Sequence, residues 1–145
     1  MILSAAEIAR RLDPEDVAEK LVIRPYNRES QQPASYDLRA AEETSLPCGF
    51  CTLLPTLEWV ELPKDLAGTL RCRSSFGRRG VLLGGGFVDP GFRGQLTLCL
   101  SNMGREDIPV KKNDRVAQMV LHEVLKPGTS YSGRYQDSLG AVEAK

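Results

Sequence analysis

From Tyr26 onward the chain breaks into short β-prone runs separated by Gly, Pro, Asn and Asp, and that rhythm restricts the fold more than any other feature. The better runs are Thr52 to Leu62, Gly68 to Arg73, Gln95 to Asn102 and Val116 to Val124. In the third, Leu96, Leu98 and Leu100 share one face while Gln95, Thr97, Cys99 and Ser101 share the other, because successive strand side chains point to opposite sides. In the second, Leu70 and Cys72 oppose Arg71 and Arg73. Strands with one apolar face need a second layer to cover it, so an all-β sandwich or distorted barrel follows. The 145 residues show no internal repeat and no interdomain linker, which gives one domain over residues 1–145.

The two ends read differently. Ser4-Ala5-Ala6-Glu7 is a capping box, in which Ser4 accepts from the third helical amide and Glu7 reaches back. Ile8, Ala9 and Leu12 give the following short helix its apolar stripe. Asp13-Pro14-Glu15-Asp16 caps a second turn with Pro14 at its first helical position, so residues 1–25 form an N-terminal helical segment. Residues 127–145 are Gly- and Ser-rich with little apolar content, and are expected to be a mobile closing segment.

Charge and cysteines narrow the function. With 19 basic and 19 acidic residues the formal charge is zero, which gives no field to favour nucleic acid or an anionic membrane. Apolar runs are too short to span a bilayer, and no basic region followed by an apolar stretch opens the chain, so a cytoplasmic location is expected. Pro47-Cys48-Gly49-Phe50-Cys51 matches half of the zinc nucleobase deaminase signature. The His-x-Glu half is missing upstream, and the one histidine, His122, lies downstream. Reduced, unligated cysteines are the better reading.

Chemistry concentrates between Arg73 and Asn102. Arg73-Ser74-Ser75 offers compact hydroxyl and amide donors beside a permanent guanidinium fork, with Arg78 and Arg79 just beyond. Gly84-Gly85-Gly86 supports a tight hairpin with positive φ angles. Val88-Asp89-Pro90-Gly91-Phe92 places a carboxylate on a turn. Donors for phosphates, backbone edges for a base and a carboxylate near the reacting phosphorus suit a nucleoside triphosphate.

These segments resemble the trimeric dUTPase and dCTP deaminase superfamily, with wording closest to the deaminase branch. The resemblance implies a distorted β-barrel or jelly roll (the β-clip of dUTPases) with a short N-terminal helix. It implies a homotrimer with sites between subunits, and magnesium held by the triphosphate and waters rather than by protein ligands. Gln32-Pro33-Ala34-Ser35-Tyr36-Asp37-Leu38-Arg39 resembles the first family motif, which puts Asp37 near the metal–phosphate region. Arg73, Ser74 and Ser75 are implied to grip phosphates, and Arg78 to point into the active site. Gly84, Gly85, Gly86 and the adjoining Phe87 are implied to read the pyrimidine largely with backbone groups, and Phe92 to lie under the deoxyribose. An unmet buried polar group costs roughly 1–3 kcal/mol, so backbone readout separates uracil from cytosine. The resemblance implies that Asp89 meets the sugar 3′-hydroxyl and, as in dUTPases, orients an attacking water. Asn113 to Met119 resembles the fourth motif, giving Gln118 to the phosphates, and Tyr131 to Gln136 resembles the closing segment, with Arg134 on the γ-phosphate and Tyr135 over base or sugar.

The chain also departs from the pattern. The stretch between Gly80 and Asp89 is two residues shorter than usual, Ser138 replaces a glutamine, and Cys99 stands where deaminases carry their catalytic Glu. A thiol with an ordinary pKa near 8.5 stays protonated and cannot shuttle protons as a carboxylate does. The favoured expectation is dUTP hydrolysis to dUMP and pyrophosphate. The alternatives are dCTP deamination, alone or alongside hydrolysis, and a non-catalytic nucleotide sensor.

Overall fold

The computed structural model describes residues 1–145. A helix, α1 (Ala5–Leu12), and a 3₁₀ turn (Val17–Glu19) precede β1 (Val22–Arg24), a second 3₁₀ turn (Arg28–Ser30), β2 (Gln31–Gln32), β3 (Ser35–Arg39) and β4 (Thr44–Leu46). The long β5 (Cys51–Glu61) and β6 (Leu66–Cys72) lead to a one-turn helix, α2 (Ser74–Gly77). Then come β7 (Val81–Gly84), β8 (Phe87–Val88), β9 (Arg93–Asn102), β10 (Ile108–Val110) and β11 (Arg115–Glu123). The four strands expected from the sequence are β5, β6, β9 and β11, each within two residues of its expected ends.

The named strands all pair antiparallel. One sheet has the order β1-β5-β9-β7, the other β2-β3-β11-β6-β8, and β10-β4 forms a separate pair. The mostly-β architecture agrees with the expected dUTPase-like fold. Leu96, Leu98 and Leu100 face inward at 8%, 0% and 0% exposure, as their alternation requires. They join Tyr36, Leu38, Leu54, Met119 and Leu121 from both sheets in one apolar cluster. Gln95, Thr97, Cys99 and Ser101 stay half-exposed on the outer face of β9.

Local expectations fared unevenly. Ser4 caps α1 by accepting from the Glu7 amide at 3.3 Å. Glu7 does not reach back; its carboxylate binds Arg10 and Arg11 instead, because two guanidinium groups outbid one backbone amide. Pro14 does not open the next turn, which is capped by Asp16 through the Ala18 amide. The tri-glycine segment is not a hairpin: β7 pairs with β9 and β8 with β6, so these glycines carry the chain from one sheet to the other. Gly85 and Gly86 take φ of +72° and +101°, which L side chains rarely adopt.

Candidate active site

A cavity of about 500 Å³ opens between the glycine link, the outer row of β9 and the C-terminal segment. Its floor is Gln95, Thr97 and Cys99, the polar row read from the alternation. A bulge in β5 between Pro55 and Trp59 aims Thr56 across the sheet. Its carbonyl accepts from Gln95 Nε2 at 2.9 Å and its hydroxyl from the Leu96 amide at 3.0 Å, fixing Gln95 in the floor.

Gly84, Gly85, Gly86 and Phe87 form one wall. The Gly86 carbonyl accepts from the Leu70 amide at 2.6 Å, and a Cβ on Gly86 would lie 3.0 Å from Leu70 Cβ. At Gly86 the wall is thus backbone pressed against β6, with no room for a side chain, whereas a Cβ on Gly85 would meet nothing within 4 Å.

Asp89 comes from the turn joining β8 to β9. The Phe92 amide closes that turn on the Asp89 carbonyl at 3.1 Å, and Gly91 and Phe92 exchange hydrogen bonds with Leu62 at 3.0 and 2.9 Å. Asp89 is exposed, and among the residues lining the cavity it is the only carboxylate. It also borders a polar crevice of about 600 Å³ shared with Lys64, Thr129, Ser130 and Ser132. Phe92 is 7% exposed and meets Tyr131 edge-on, with ring centroids 5.7 Å apart. Cys99 lies beside the glycines, opposite Gly84 in register. Burial, and secondarily nearby Cys51, push its thiol pKa up, so it is a neutral group.

The segment expected to close the site folds back over it in the same chain. Ser138 bridges Gly94 in parallel and accepts from the Gln95 amide at 2.8 Å. Asp137 forms a two-pronged ion pair with Arg93. The amides of Gly140 and Val142 donate to Gln95 Oε1 at 2.7 Å and Thr97 Oγ1 at 2.9 Å. Tyr131, Tyr135, Ser138 and Val142 complete the cavity. Arg134 does not line it; its guanidinium donates to the Lys145 carbonyl at 2.5 Å.

Arg73, Ser74, Ser75, Arg78 and Gln118 are also absent from this cavity. Arg73 and Gln118 instead meet Asp37 at one end of the five-stranded sheet. Arg73 Nε lies 3.0 Å and Arg115 Nη1 3.6 Å from Asp37 Oδ2, and Gln118 pairs with Asp37 in register. The Asp37 side chain is 1% exposed, and neither oxygen receives an aligned guanidinium hydrogen bond. Burial raises its pKa, and Arg73, Arg115 and Gln118 oppose that rise. Ser74 and Ser75 are exposed in α2. Thus most of the sequence-derived residues fall into two groups, with Ser74, Ser75, Arg78 and Arg134 in neither. Gly84, Gly85, Gly86, Phe87, Asp89, Phe92 and Tyr135 converge on the cavity; Arg73, Gln118 and Asp37 converge elsewhere.

Some contributors carried little signal. Gln95 and Thr97 share a face with Cys99 and were findable by alternation. Arg115, and the Arg93–Asp137 latch, join positions distant in sequence, so no local pattern marks them.

No group of three His, Cys, Asp or Glu is placed to hold a metal ion, and Asp37 is faced by two guanidinium groups.

Solved structures share this architecture. EIAV dUTPase superposes with a TM-score of 0.64 at 20% identity, covering 80% of this chain and 98% of that one. The dUTPase from phage phi11 of S. aureus gives 0.62 at 19% identity, covering 77% and 95%. The fold is therefore dUTPase-like. Residues 40–124 match the family model described as dCTP deaminase-like, and the chain belongs to that family. It is 36% identical over 145 residues to the dCTP deaminase of Pyrococcus horikoshii, covering 89% of this chain and 93% of the relative. It is 31% identical over 173 residues to the dCTP deaminase, dUMP-forming, of Methanopyrus kandleri, covering 92% and 90%.

Proposed function

We propose that the chain is a dUTP diphosphatase, hydrolysing dUTP to dUMP and pyrophosphate. One observation carries this reading: Asp89 is the only carboxylate lining the cavity, and a neutral thiol, Cys99, stands in its floor. Deamination at cytosine C4 requires a group there that takes and returns protons. Hydrolysis asks only that water be held in line with the α-phosphorus.

In this reading the pyrimidine lies against the backbone of Gly84 to Gly86 and Phe87, and the deoxyribose over Phe92. Asp89 accepts from the sugar 3′-hydroxyl and from the attacking water, placing the water more than deprotonating it. A bond forms between the water oxygen and the α-phosphorus as the bond to pyrophosphate breaks, and the water's protons pass to solvent. Arg73, Ser74, Ser75 and Gln118 hold phosphates from a neighbouring copy in a homotrimer, with Arg78 facing the same site. The Arg134–Tyr135 segment closes over the nucleotide. Magnesium carried on the triphosphate neutralises phosphate charge when bound.

A second reading, dCTP deamination, is favoured by the names of the relatives. One assay separates them: incubate the protein with magnesium and each deoxynucleoside triphosphate, then identify products chromatographically and measure ammonia. Monophosphate from dUTP alone is the expected result. Ammonia from dCTP would replace it with the second reading, and bound nucleotide without product would remove both.

A further inference from the structure

Residues 139–145 come after the segment expected to close the site, and apolar burial does not hold them. They lie in no strand, Leu139 is 72% exposed, and none of them belongs to the apolar core. Only Gly140 and Val142 are half-buried. These are the two residues whose amides donate into the cavity floor, to Gln95 Oε1 at 2.7 Å and Thr97 Oγ1 at 2.9 Å. The neighbouring amides of Ala141 and Glu143 have no partner within the chain. The two-residue step of the tail thus matches the two-residue step of the outer row of β9. Gly140 takes φ of +67°, which a glycine adopts without strain.

The contacts occupy the groups a ligand would use. The Thr56 carbonyl holds Gln95 Nε2, so Oε1 is the atom this amide has left to offer, and Gly140 takes it. Ser138 Oγ donates to the Tyr135 carbonyl at 2.6 Å. Among the polar side chains lining the cavity, only Asp89 and Cys99 are left without a hydrogen bond inside the chain. Val142 and Ala144 also line the cavity, beside the glycine wall. Finally, Lys145 ties down both closing residues. Its carbonyl accepts from the Arg134 guanidinium at 2.5 Å, and its amide donates to the Tyr135 hydroxyl at 3.4 Å.

We propose that residues 139–145 are an internal competitor, a peptide that occupies the polar floor in the free protein and that nucleotide displaces on binding. This rests on the nucleotide reading of the cavity given above. A nucleotide that enters with the tail in place leaves its own donors facing acceptors already taken, which is costly in a closed site. Binding therefore draws on the fraction of molecules with the tail out, and apparent affinity is lowered by that fraction. Release of Lys145 would at the same time free Arg134 and Tyr135 to close over the ligand.

Amide hydrogen exchange and calorimetric titration of the full chain test this, with the α,β-imido analogues of dUTP and dCTP as ligands so that hydrolysis does not intervene. In the free protein the Gly140 and Val142 amides should exchange more slowly than those of Ala141 and Glu143. A saturating analogue should remove that protection. Val142→Pro deletes the donor to Thr97, and Gly140→Pro deletes the donor to Gln95 and excludes the positive φ. Both should bind the analogue about threefold to tenfold more tightly than wild type. A chain ending at Ser138 keeps every core residue and should match them, which guards against a proline variant that folds poorly. Unprotected amides in the free protein, or protection that survives saturation, would overturn the proposal. Equal affinity in all forms would overturn it as well, and weaker binding in the opened forms would make the tail part of the lid instead. If neither analogue binds any form while the protection stands, the nucleotide reading of the cavity falls and the competitor with it.

Discussion

The Asp89 cavity and the Asp37 cluster each centre on one aspartate, but the two carboxylates live in opposite circumstances. Asp89 is exposed on a turn, facing an apolar cavity and free of any ion pair. Asp37 is buried in a strand, with its pKa raised by burial, between two arginines that reach outward. The first arrangement leaves a carboxylate free to meet water and substrate. The second uses a carboxylate to hold cations in place. In the proposed reading, shape and charge complementarity for a nucleotide are thus split between two regions of one chain.

The largest effect should come from removing the free carboxylate. Asp89→Asn keeps size and polarity but weakens the hold on water, and we expect turnover to fall about 100- to 10,000-fold with nucleotide binding retained. Steady-state rates and equilibrium titration together check this. Near-normal turnover would take Asp89 out of the chemistry and make the two aspartates alike.

Next comes Arg73→Ala, expected to lower kcat/KM about 100-fold by removing a charge-assisted phosphate contact. If one copy's phosphate grip serves another's cavity, mixing Asp89→Asn and Arg73→Ala subunits after co-refolding restores part of the activity. Mixtures as inactive as the separate variants would show that both regions must act within one chain.

The split also explains what could be read from the sequence. The alternation in β9 gave both the core leucines and the cavity floor, because strand periodicity is local. Asp89 and Phe92 were legible because a turn fixes them within four residues of each other. The glycine segment was misjudged as a hairpin because its conformation is local but its partners, β6 and β9, are not. Likewise the ordered contacts of residues 136–142 depend on Arg93, Gln95 and Thr97, some 45 residues away, and composition alone reports nothing of them.

Asp37→Asn sharpens the comparison through pH. A carboxyl whose folded pKa is raised holds its proton more tightly in the native state than in the unfolded one. Its charged form therefore burdens the fold above that pKa, and the burden fades as pH falls through it. Wild type should lose this penalty on mild acidification, while Asp37→Asn should show a flatter dependence in denaturant titrations across the carboxylate range. The variant should also bind nucleotide several-fold more weakly, because Arg73 loses the charge that positions it. An unchanged pH profile would mean that Arg73 and Arg115 fully offset burial.

Cys99→Ser should have the smallest effect. The cavity already treats this side chain as a small neutral group, and burial keeps the thiol protonated. Serine is close in size and equally neutral, so dUTP turnover should stay within about threefold of wild type, since small polar changes away from the reacting atoms cost under about 1 kcal/mol. A collapse comparable to that of Asp89→Asn would mean that the thiol handles protons after all. The cavity would then contain two reacting groups instead of one, and the contrast with the purely organising role of Asp37 would have to be redrawn around Cys99.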